Sequence, residues 1–443
     1  MYRHDSLSFT ILAALFGLYT ITNAQILDSP LPENFVRRSQ VAATILGNYV
    51  YIEGGHIAQL QPPSGKIDPN QPVNIVNSTL SIDMSHSWSS SNVSIRTIPK
   101  PPQMQDRSVP SIWTDAARGE YYLWGGASQA GSKSKLGVEK DKTYKFTTDG
   151  SGGGSWSLDD SVPSDKQTPR LLRTQHAAYA STPRSAFAIG GIATSFGDVS
   201  MANNGNPGIQ RQAVPGMIEF DFDSRQFTNL TDAPIAGSSI IGAQAEYIPN
   251  FGESNGLVIV LGGWQARLDD GGVYNINLPT FDFHNLTFFD PATKQKYWQA
   301  TSGDVPPSPR MQFCSAGRVT ADGKGYDLFI HGGLKQQGSR QTHLDAYILS
   351  LPGFFWTRVP QGQGGHTAVV ESRSYHVCLP VGKRQILSIG GNRDGSDKWT
   401  PADSAPQGLL LFDMTSMQWK YDFDSEDEAY ESAGVIREWY RRG

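Results

Sequence analysis

A Gly-Gly doublet that closes a short apolar run recurs six times along the 443 residues of the chain. Successive doublets lie 58 to 72 residues apart, which is the spacing of a supersecondary unit rather than of a single helix or strand. The doublets are Gly54-Gly55, Gly125-Gly126, Gly190-Gly191, Gly262-Gly263, Gly332-Gly333 and Gly390-Gly391. Any fold proposed for the chain must therefore repeat one unit six times.

Each doublet belongs to a longer pattern of four short runs. Arg, sometimes after Pro, opens the first run, the doublet closes the second, Asp often ends the third, and an aromatic residue lies in the fourth. Runs this short, separated by turn residues, predict strands, and 46 Gly and 27 Pro supply the turns. The closing aromatics are Trp88, Trp156, Phe227, Trp298, Trp356 and Trp419. One four-stranded sheet cannot bury both faces, whereas six sheets stacked radially can.

This order of Arg, Gly-Gly, aromatic-Asp and Trp resembles the kelch repeat of β-propellers, over roughly residues 37–421. The resemblance implies an all-β, six-bladed kelch-type β-propeller whose closing aromatics fill the wedges between sheets. The linkers are long enough to hold a degenerate seventh blade, which remains an alternative. The stretches 309–314 and 382–391 look like those of secreted fungal kelch proteins, which often carry a transmembrane helix after the propeller. The present sequence shows none up to Gly443, so a soluble secreted form and an incomplete sequence are both open.

The first 24 residues are predicted to be a secretory signal peptide. Arg3 and His4 precede an apolar run too short to span a bilayer, and Ala24 follows small residues of the kind that a signal peptidase reads. We therefore divide the chain into the signal peptide 1–24, the propeller 25–421 and a tail 422–443, acidic and then basic. The tail is interpreted as a closing segment against the last blade, with partner binding as the alternative.

If the chain is secreted, two further features of the sequence can be interpreted, namely its glycosylation acceptors and its two cysteines. Four Asn-x-Ser/Thr sequences are glycosylation acceptors in an exported chain, at Asn77, Asn92, Asn229 and Asn285. The two cysteines of the chain, Cys314 and Cys378, each lie in the first strand of a unit. Corresponding strands of neighbouring blades can be close enough for a disulfide, although two buried thiols remain the alternative.

The candidate binding surface is the channel mouth on the side of the doublets. In an antiparallel blade the start of the first strand and the end of the second share one face, so the arginines and the loops after the doublets meet there. Arginine can hold carboxylate or phosphate groups in bidentate fashion, whereas the structural alternative is that it ties adjacent blades together. The candidate ligand-binding residues are His56, Arg107, Arg170, Trp264, Arg267, Arg310, Lys335, Arg340, Arg373 and Arg393.

No catalytic motif accompanies these residues. The sequence contains no Gly-x-Ser-x-Gly, no phosphate-binding loop and no His-Glu-x-x-His, and no histidine pair at the spacing that kelch-fold copper-radical oxidases imply. We therefore predict no metal and no cofactor and leave catalytic residues unassigned. The formal net charge of −5 gives no bulk attraction to nucleic acid or to an anionic membrane.

Two functions remain open. The first is a secreted, monomeric propeller that binds a small molecule, a glycan or a protein partner at its channel mouth. The second is a metal-free accessory or ring-forming enzyme of a fungal secondary-metabolite pathway, since a shaped pocket with a few hydrogen-bond donors leaves no motif in a sequence.

Overall fold

The structure is a computed structural model, and the ranges that it describes are as follows: 28–61, 64–67, 73–102, 104, 107–128, 143–159, 171–201, 211–231, 239–254, 256–268, 274–275, 281–335, 341–361, 367–393, 395 and 399–442. The predicted signal peptide 1–24 and two candidate binding residues, Arg170 and Arg340, lie outside the described residues.

Six antiparallel sheets of four strands dominate the described chain, each carrying one Gly-Gly doublet after its second strand. Sheet 1 contains Ala42–Leu46, Tyr49–Glu53, Ser78–Asp83 and Ile95–Pro99; sheet 2 contains Ser111–Asp115, Glu120–Trp124, Thr143–Thr148 and Gly154–Asp159; sheet 3 contains Ala178–Ser181, Ser185–Ile189, Met217–Asp221 and Phe227–Leu230. Sheet 4 contains Gln244–Pro249, Gly256–Leu261, Asn285–Phe289 and Lys296–Ala300; sheet 5 contains Cys314–Val319, Tyr326–His331, Ala346–Leu351 and Phe355–Arg358, with Ser302–Gly303 parallel to the last; sheet 6 contains Val377–Val381, Gln385–Ile389, Leu409–Asp413 and Gln418–Lys420.

The middle strands of the sheets are apolar on both faces. Tyr326–His331, Gln385–Ile389 and Leu409–Asp413 are buried at every position. Strands covered on both faces read as continuous apolar runs rather than alternating ones. Each sheet therefore requires a neighbouring sheet against each of its two faces.

The first strands of the six sheets form a closed ring. Each contacts the first strand of the next sheet, and Ala42–Leu46 of sheet 1 contacts both Ser111–Asp115 of sheet 2 and Val377–Val381 of sheet 6. An apolar cluster fills the space between each successive pair of sheets. Between sheets 5 and 6, for example, the rings of Phe329 and Phe412 stack with their centroids 4.5 Å apart. The all-β propeller predicted from the repeats is thus confirmed.

The closing aromatics mostly fill the wedges, with one clear exception. Four are buried, namely Trp88, Phe227, Trp356 and Trp419, and Trp156 is half-buried. Trp298, in contrast, exposes 67% of its surface. The expectation that all six pack between sheets is wrong at this position, because the outermost strand Lys296–Ala300 is exposed along most of its length, with no sheet of the described residues covering it.

A second tier of small three-stranded sheets lies beyond the doublets, formed by the segments before the first strands and after the doublets. These sheets contain Phe35–Ser39, His56–Gln59 and Asn74–Ile75; Thr174–Gln175, Ile192–Thr194 and Arg211–Ala213; and Ser239–Ile241, Trp264–Leu268 and Tyr274–Asn275. The remaining elements are the 3-10 turns Pro32–Asn34, Val199–Met201 and Pro406–Gly408, the strand pair Trp88–Ser89 with Asp422–Phe423, and the helix Gly434–Arg442. Across the described ranges, no helix has the length and apolar character that crossing a membrane requires.

The tail packs against sheets 5 and 6. The carboxylate of Asp427 accepts hydrogen bonds from the main-chain amides of Lys383 and Arg384, at 2.8 and 2.9 Å, in the turn between the first two strands of sheet 6. In the terminal helix, the indole of Trp439 stacks on Phe355 of sheet 5, with ring centroids 4.4 Å apart. The acidic run of the tail is thus partly engaged in contacts with the propeller.

Candidate functional site

The Gly-Gly doublets are the points at which successive blades touch through their main chains. Gly54 has a φ of 61°, and a Cβ at this position would lie 2.0 Å from the carbonyl oxygen of Arg107. The next residue, Gly55, donates its amide to that same oxygen at 2.8 Å. Only glycine combines this left-handed backbone with such an approach.

The same hydrogen bond recurs at all six doublets, where the second glycine donates to a residue that precedes the next first strand. The six acceptors are Arg38, Arg107, Thr174, Ile240, Arg310 and Arg373. Sequence reasoning named three of them and missed Arg38. In the third repeat it named Arg170, four residues before the equivalent position, which is occupied by Thr174. In all six repeats the acceptor residue lies four residues before the start of the first strand, and this constant spacing is the signal that identifies it.

Three predicted binding arginines lie inside this junction. Arg310 donates from Nη1 to the carbonyl of Gly332 at 3.1 Å, and Arg373 donates to Gly390 at 2.9 Å. Arg107 makes the corresponding bond to Gly125. Each guanidinium is buried and donates to the doublet of its own blade. The main-chain carbonyl of the same arginine accepts a hydrogen bond from the doublet of the preceding blade. These contacts are the ones expected if the arginines tie adjacent blades together. Ligand binding by these arginines stays a prediction.

Carboxylates complete two of these junctions. Arg310 lies 3.3 Å from Asp345, and Arg373 lies 3.0 Å from Asp403. Both arginines are fully buried. A buried guanidinium without a partner would be costly, so these acidic residues offset the charge that the junction places in the interior.

A ring of six residues in the left-handed region surrounds the channel on the doublet side. Each lies two residues before a first strand and has a φ between 47° and 67°. We call this ring the belt, and its members are Gln40, Val109, His176, Gly242, Gln312 and Tyr375. Five hydrogen bonds of 2.7 to 2.9 Å join an amide of one belt residue to the carbonyl of the preceding one, including Gln40 to Tyr375 across the junction of sheets 6 and 1.

Belt side chains also contact one another across the channel. The Nε2 atom of Gln312 lies 2.9 Å from Nδ1 of His176. The His176 ring approaches that of Tyr375 edge-on, with centroids 6.0 Å apart. Sheets 3, 5 and 6 therefore meet at the doublet end of the channel, and the belt narrows it there.

The remaining predicted mouth residues are divided between the second tier and the surface. Trp264 is buried in a cluster with Met311 and Leu334. His56 is half-buried, 6.0 Å from the ring of Trp399. Lys335 and Arg393 are exposed, and the strand Trp264–Leu268 contains Arg267, whose side chain is outside the described part. These residues do not converge on one point, and their role in binding stays a prediction.

The central channel is a cavity of about 670 Å³. All six first strands contribute to its wall, through residues 43–45, 112, 114, 179–181, 244–247, 249, 315, 317–319 and 377–380. This volume lies within the range of roughly 300–1,000 Å³ typical of small-molecule sites. The channel is therefore the cavity that the ring of blades as a whole creates.

Glu246 is the acidic group in the channel wall. Its Oε1 accepts a hydrogen bond of 2.7 Å from the hydroxyl of Ser315 in the next sheet. Burial raises the pKa of Glu246 to about 7, against a smaller lowering by that hydrogen bond. Burial also raises the pKa of Tyr179, and the nearby Glu246 raises it further. A carboxyl group that titrates near neutral pH can both hold and release a proton.

Sequence reasoning did not find Glu246. It lies in the first strand Gln244–Pro249, between Ala245 and Tyr247, and belongs to no motif. The available signal was an acidic residue inside a first strand, where a propeller places the channel wall.

Basic and phenolic side chains lie toward the other end of the channel. Arg318 donates to the carbonyl of Gly382 at 2.8 Å, and burial lowers its pKa to about 10. Tyr430 of the tail lines the same cavity and donates from its hydroxyl to Asp327 at 2.5 Å. The tail therefore forms part of the channel wall.

Cys314 and Cys378 form a disulfide between sheets 5 and 6, with their Cα atoms 5.3 Å apart. This confirms the predicted pairing over two free thiols. Together with His376 they form the one cluster of potential metal ligands among the described residues, with ligand atoms all within 4.8 Å of one another. In the bonded form the sulfurs offer no thiolate to a metal.

The four predicted glycosylation sites lie among the described residues. Asn77, Asn92 and Asn285 are exposed, and Asn229 is half-buried. Exposure is compatible with glycosylation, and modification of each site stays a prediction.

Comparison with known proteins agrees with this architecture. No family model matches the chain. A Kelch repeat-containing protein of Arthroderma benhamiae is 24% identical over 433 aligned residues, which cover 88% of this chain and 58% of that protein, so the chain spans less than two thirds of its relative. The solved structure of YjhT, a kelch-type propeller, superposes with a TM-score of 0.54 at 15% identity and covers 88% of this chain and 99% of that one. The chain is similar to a Kelch repeat-containing protein and has the kelch-type β-propeller fold.

Proposed function

We propose that the protein binds a small, hydroxyl-rich molecule such as a sugar unit in its central channel, with Glu246 as the polar anchor. The observation that carries this proposal is the carboxyl group of Glu246 in the wall of a cavity of about 670 Å³. Binding sites for small molecules combine apolar walls with a few placed polar groups.

The composition of the wall favours hydroxyl groups over a purely apolar ligand. The rings of Tyr179 and Tyr247 offer apolar faces, whereas Ser181, Ser315 and Glu246 offer hydrogen-bond donors and acceptors. A sugar presents the same combination of apolar C–H faces and hydroxyl groups. This proposal prefers the channel to the loop-lined mouth as the binding surface, because three of the mouth arginines, Arg107, Arg310 and Arg373, donate hydrogen bonds to the doublets.

A second candidate is a metal-free enzyme, including a ring-forming enzyme of secondary metabolism. The pKa of about 7 for Glu246 favours it, since a general acid or base works best when its pKa lies near the working pH. Neighbouring tyrosines can position a substrate beside the carboxyl group.

We also propose that the chain acts in the secretory pathway or outside the cell. The leader-like residues 1–24, the disulfide and the exposed acceptor asparagines support this localisation.

Binding is tested by calorimetry of the full chain with a panel of monosaccharides, oligosaccharides and acyclic polyols. The matched variants are Glu246→Gln, in the channel, and Glu253→Gln, on the exposed turn of the same sheet. We expect binding that Glu246→Gln weakens at least tenfold and Glu253→Gln leaves unchanged. Equal affinity of both variants would contradict the proposal.

The enzymatic candidate is tested by deleting the gene and profiling metabolites. An accumulated precursor that the purified protein converts, and that Glu246→Gln does not, supports catalysis. An unchanged profile removes the pathway role.

A further inference from the structure

Trp298 is the closing aromatic that stays exposed, since no blade covers it within the part of the chain that the structure describes. Its exposed fraction of 67% contrasts with the burial of Trp356 and Trp419 at the same point of other repeats. A large aromatic side chain gains most from covering its apolar face, and an indole left in water forgoes that gain. A group that covers the indole of Trp298 would therefore be favoured.

The strand register places Trp298 beside a glycosylation acceptor. Trp298 lies directly opposite Thr287, and Ala300 lies opposite Asn285. Asn285, Leu286 and Thr287 form an Asn-Leu-Thr acceptor sequence. Because side chains alternate between faces, Asn285, Thr287 and Trp298 share one face of sheet 4, and Asn285 is the diagonal neighbour of Trp298 at about 7–8 Å.

We propose that Asn285 carries an N-linked glycan whose first sugar stacks on the exposed indole of Trp298. The first sugar is bonded to the side-chain amide of Asn285. Trp298, as the diagonal neighbour of Asn285, is close enough for that sugar ring to contact its indole. Sugar C–H groups and an aromatic face pair well because the face of the ring is electron-rich and apolar. The proposal goes beyond ligand binding in the channel and rests on passage of the chain through the secretory pathway.

The other acceptor sites lack this arrangement. Asn77 and Asn92 lie outside strands, and Asn229 lies opposite the apolar Ile218 rather than beside an exposed aromatic ring. Tyr297, adjacent to Trp298, points to the opposite face of the sheet, where it lies opposite Phe288. Trp298 is thus the ring expected to stack on the sugar, and Tyr297 is its matched control.

The modification itself is a group transfer from a lipid-linked pyrophosphate sugar, which the secretory pathway supplies together with its transferase. The amide nitrogen Nδ2 of Asn285 forms a bond to the anomeric carbon of the sugar. The bond from that carbon to the pyrophosphate oxygen breaks, the lipid pyrophosphate leaves with the electron pair, and the amide loses one proton. No oxidant or reductant is required.

The test uses the full chain secreted from a fungal host, with hydroxyl-radical footprinting read by mass spectrometry. One sample keeps its glycans, a second is trimmed to the first sugar by endoglycosidase H, and a third is fully deglycosylated by peptide-N-glycosidase F. We expect oxidation of Trp298 to rise several-fold only in the third sample, and oxidation of Tyr297 to stay equal in all three. Equal oxidation of Trp298 in all samples overturns the proposal, as does a rise already in the trimmed sample, which would indicate shielding by outer sugars.

Two variants give a second measurement. In Trp298→Ala, we expect thermal unfolding to become insensitive to removal of the glycan, whereas in Tyr297→Ala the glycan still raises Tm. The same glycan effect in both variants overturns the stacking, as does an Asn285 that carries no glycan. Neither readout involves the channel, so failure here is distinguishable from failure of the proposed ligand binding.

Discussion

Arg310 donates a hydrogen bond of 3.1 Å to the carbonyl oxygen of Gly332, the first glycine of the doublet in its own blade. The carbonyl of the same arginine accepts a hydrogen bond of 2.9 Å from Gly263, in the doublet of the preceding blade. One residue thus joins two blades through its main chain and its side chain. The doublets and the arginines of the repeat are two halves of a single junction.

Replacing Arg310 by alanine is expected to destabilise the fold. The change removes the guanidinium beside Asp345, which keeps the neighbouring Tyr347 hydroxyl and His343. It also removes the donor to the carbonyl of Gly332. Breaking a buried ion pair costs about 3–5 kcal/mol. Denaturant unfolding of the purified protein measures the loss. Arg393→Ala, at an exposed position, is the control, with an expected change of less than about 0.5 kcal/mol. A stable Arg310→Ala protein would show that the junction tolerates the loss and would revive a ligand role for this arginine.

Glu246 is expected to make the fold less stable as the pH rises from about 4.5 to about 7, whereas buried His331 and His376, whose pKa values burial lowers, contribute the opposite trend below about pH 6.5. Over this interval folded Glu246 keeps a proton that the unfolded chain releases, because burial raises its pKa from 4.5 to about 7. Above neutral pH the full penalty from Glu246 applies, about 3 kcal/mol. Unfolding at pH 5 and pH 8 isolates the Glu246 contribution, since Glu246→Gln is expected to gain stability at pH 8 relative to pH 5 when compared with Glu253→Gln. Identical slopes in both variants would assign the pH dependence to other groups.

Loss of the disulfide is expected to lower the free energy of unfolding by about 2–5 kcal/mol, since the bond closes a long loop in the unfolded chain. Cys314 and Cys378 are 64 residues apart in sequence. Thermal unfolding with and without a phosphine reductant measures the effect. The double variant Cys314→Ala, Cys378→Ala is expected to match the reduced protein and to show no response to reductant. Equal Tm for oxidised and reduced protein would be the contrary result.

The tail is expected to detach when Asp427 is replaced by alanine. This carboxylate accepts hydrogen bonds from Lys383, Arg384 and the side chain of Gln385, and the variant leaves all three donors without it. Hydrogen exchange of residues 424–442 is expected to accelerate while the middle strands of sheets 5 and 6 stay protected. Glu428→Ala, one residue away and exposed, is the control. Unaltered exchange would mean that Trp439 and Tyr430 hold the tail without Asp427.

The repeat architecture could be predicted because it rests on residues that few others can replace. A left-handed backbone pressed against a carbonyl demands glycine, as Gly54 shows, and a wedge between sheets favours a large aromatic such as Trp356. Trp298 shows where the inference from residue type to burial fails, because this tryptophan occupies the same point of the repeat and yet is exposed.

The belt and the channel could not be predicted, because neither depends on a particular side chain. Belt positions hold residues as different as Val109, His176 and Gly242, and what they share is a main-chain conformation. Glu246 becomes notable only when six strands enclose it, since burial raises its pKa and no local pattern signals burial. Arg107, Arg310 and Arg373 could be found from the sequence because they repeat, whereas their contacts depend on how the blades meet.

The belt has an electrical consequence. Five of its six amides point the same way around the channel, each toward the carbonyl of the preceding belt residue. A peptide group carries a dipole of about 3.5 D, and dipoles arranged head to tail around a circle largely cancel. Unlike the end of a helix, the hydrogen bonds of the belt therefore add little net main-chain dipole along the channel axis. A preference of the belt for charge would come from its side chains.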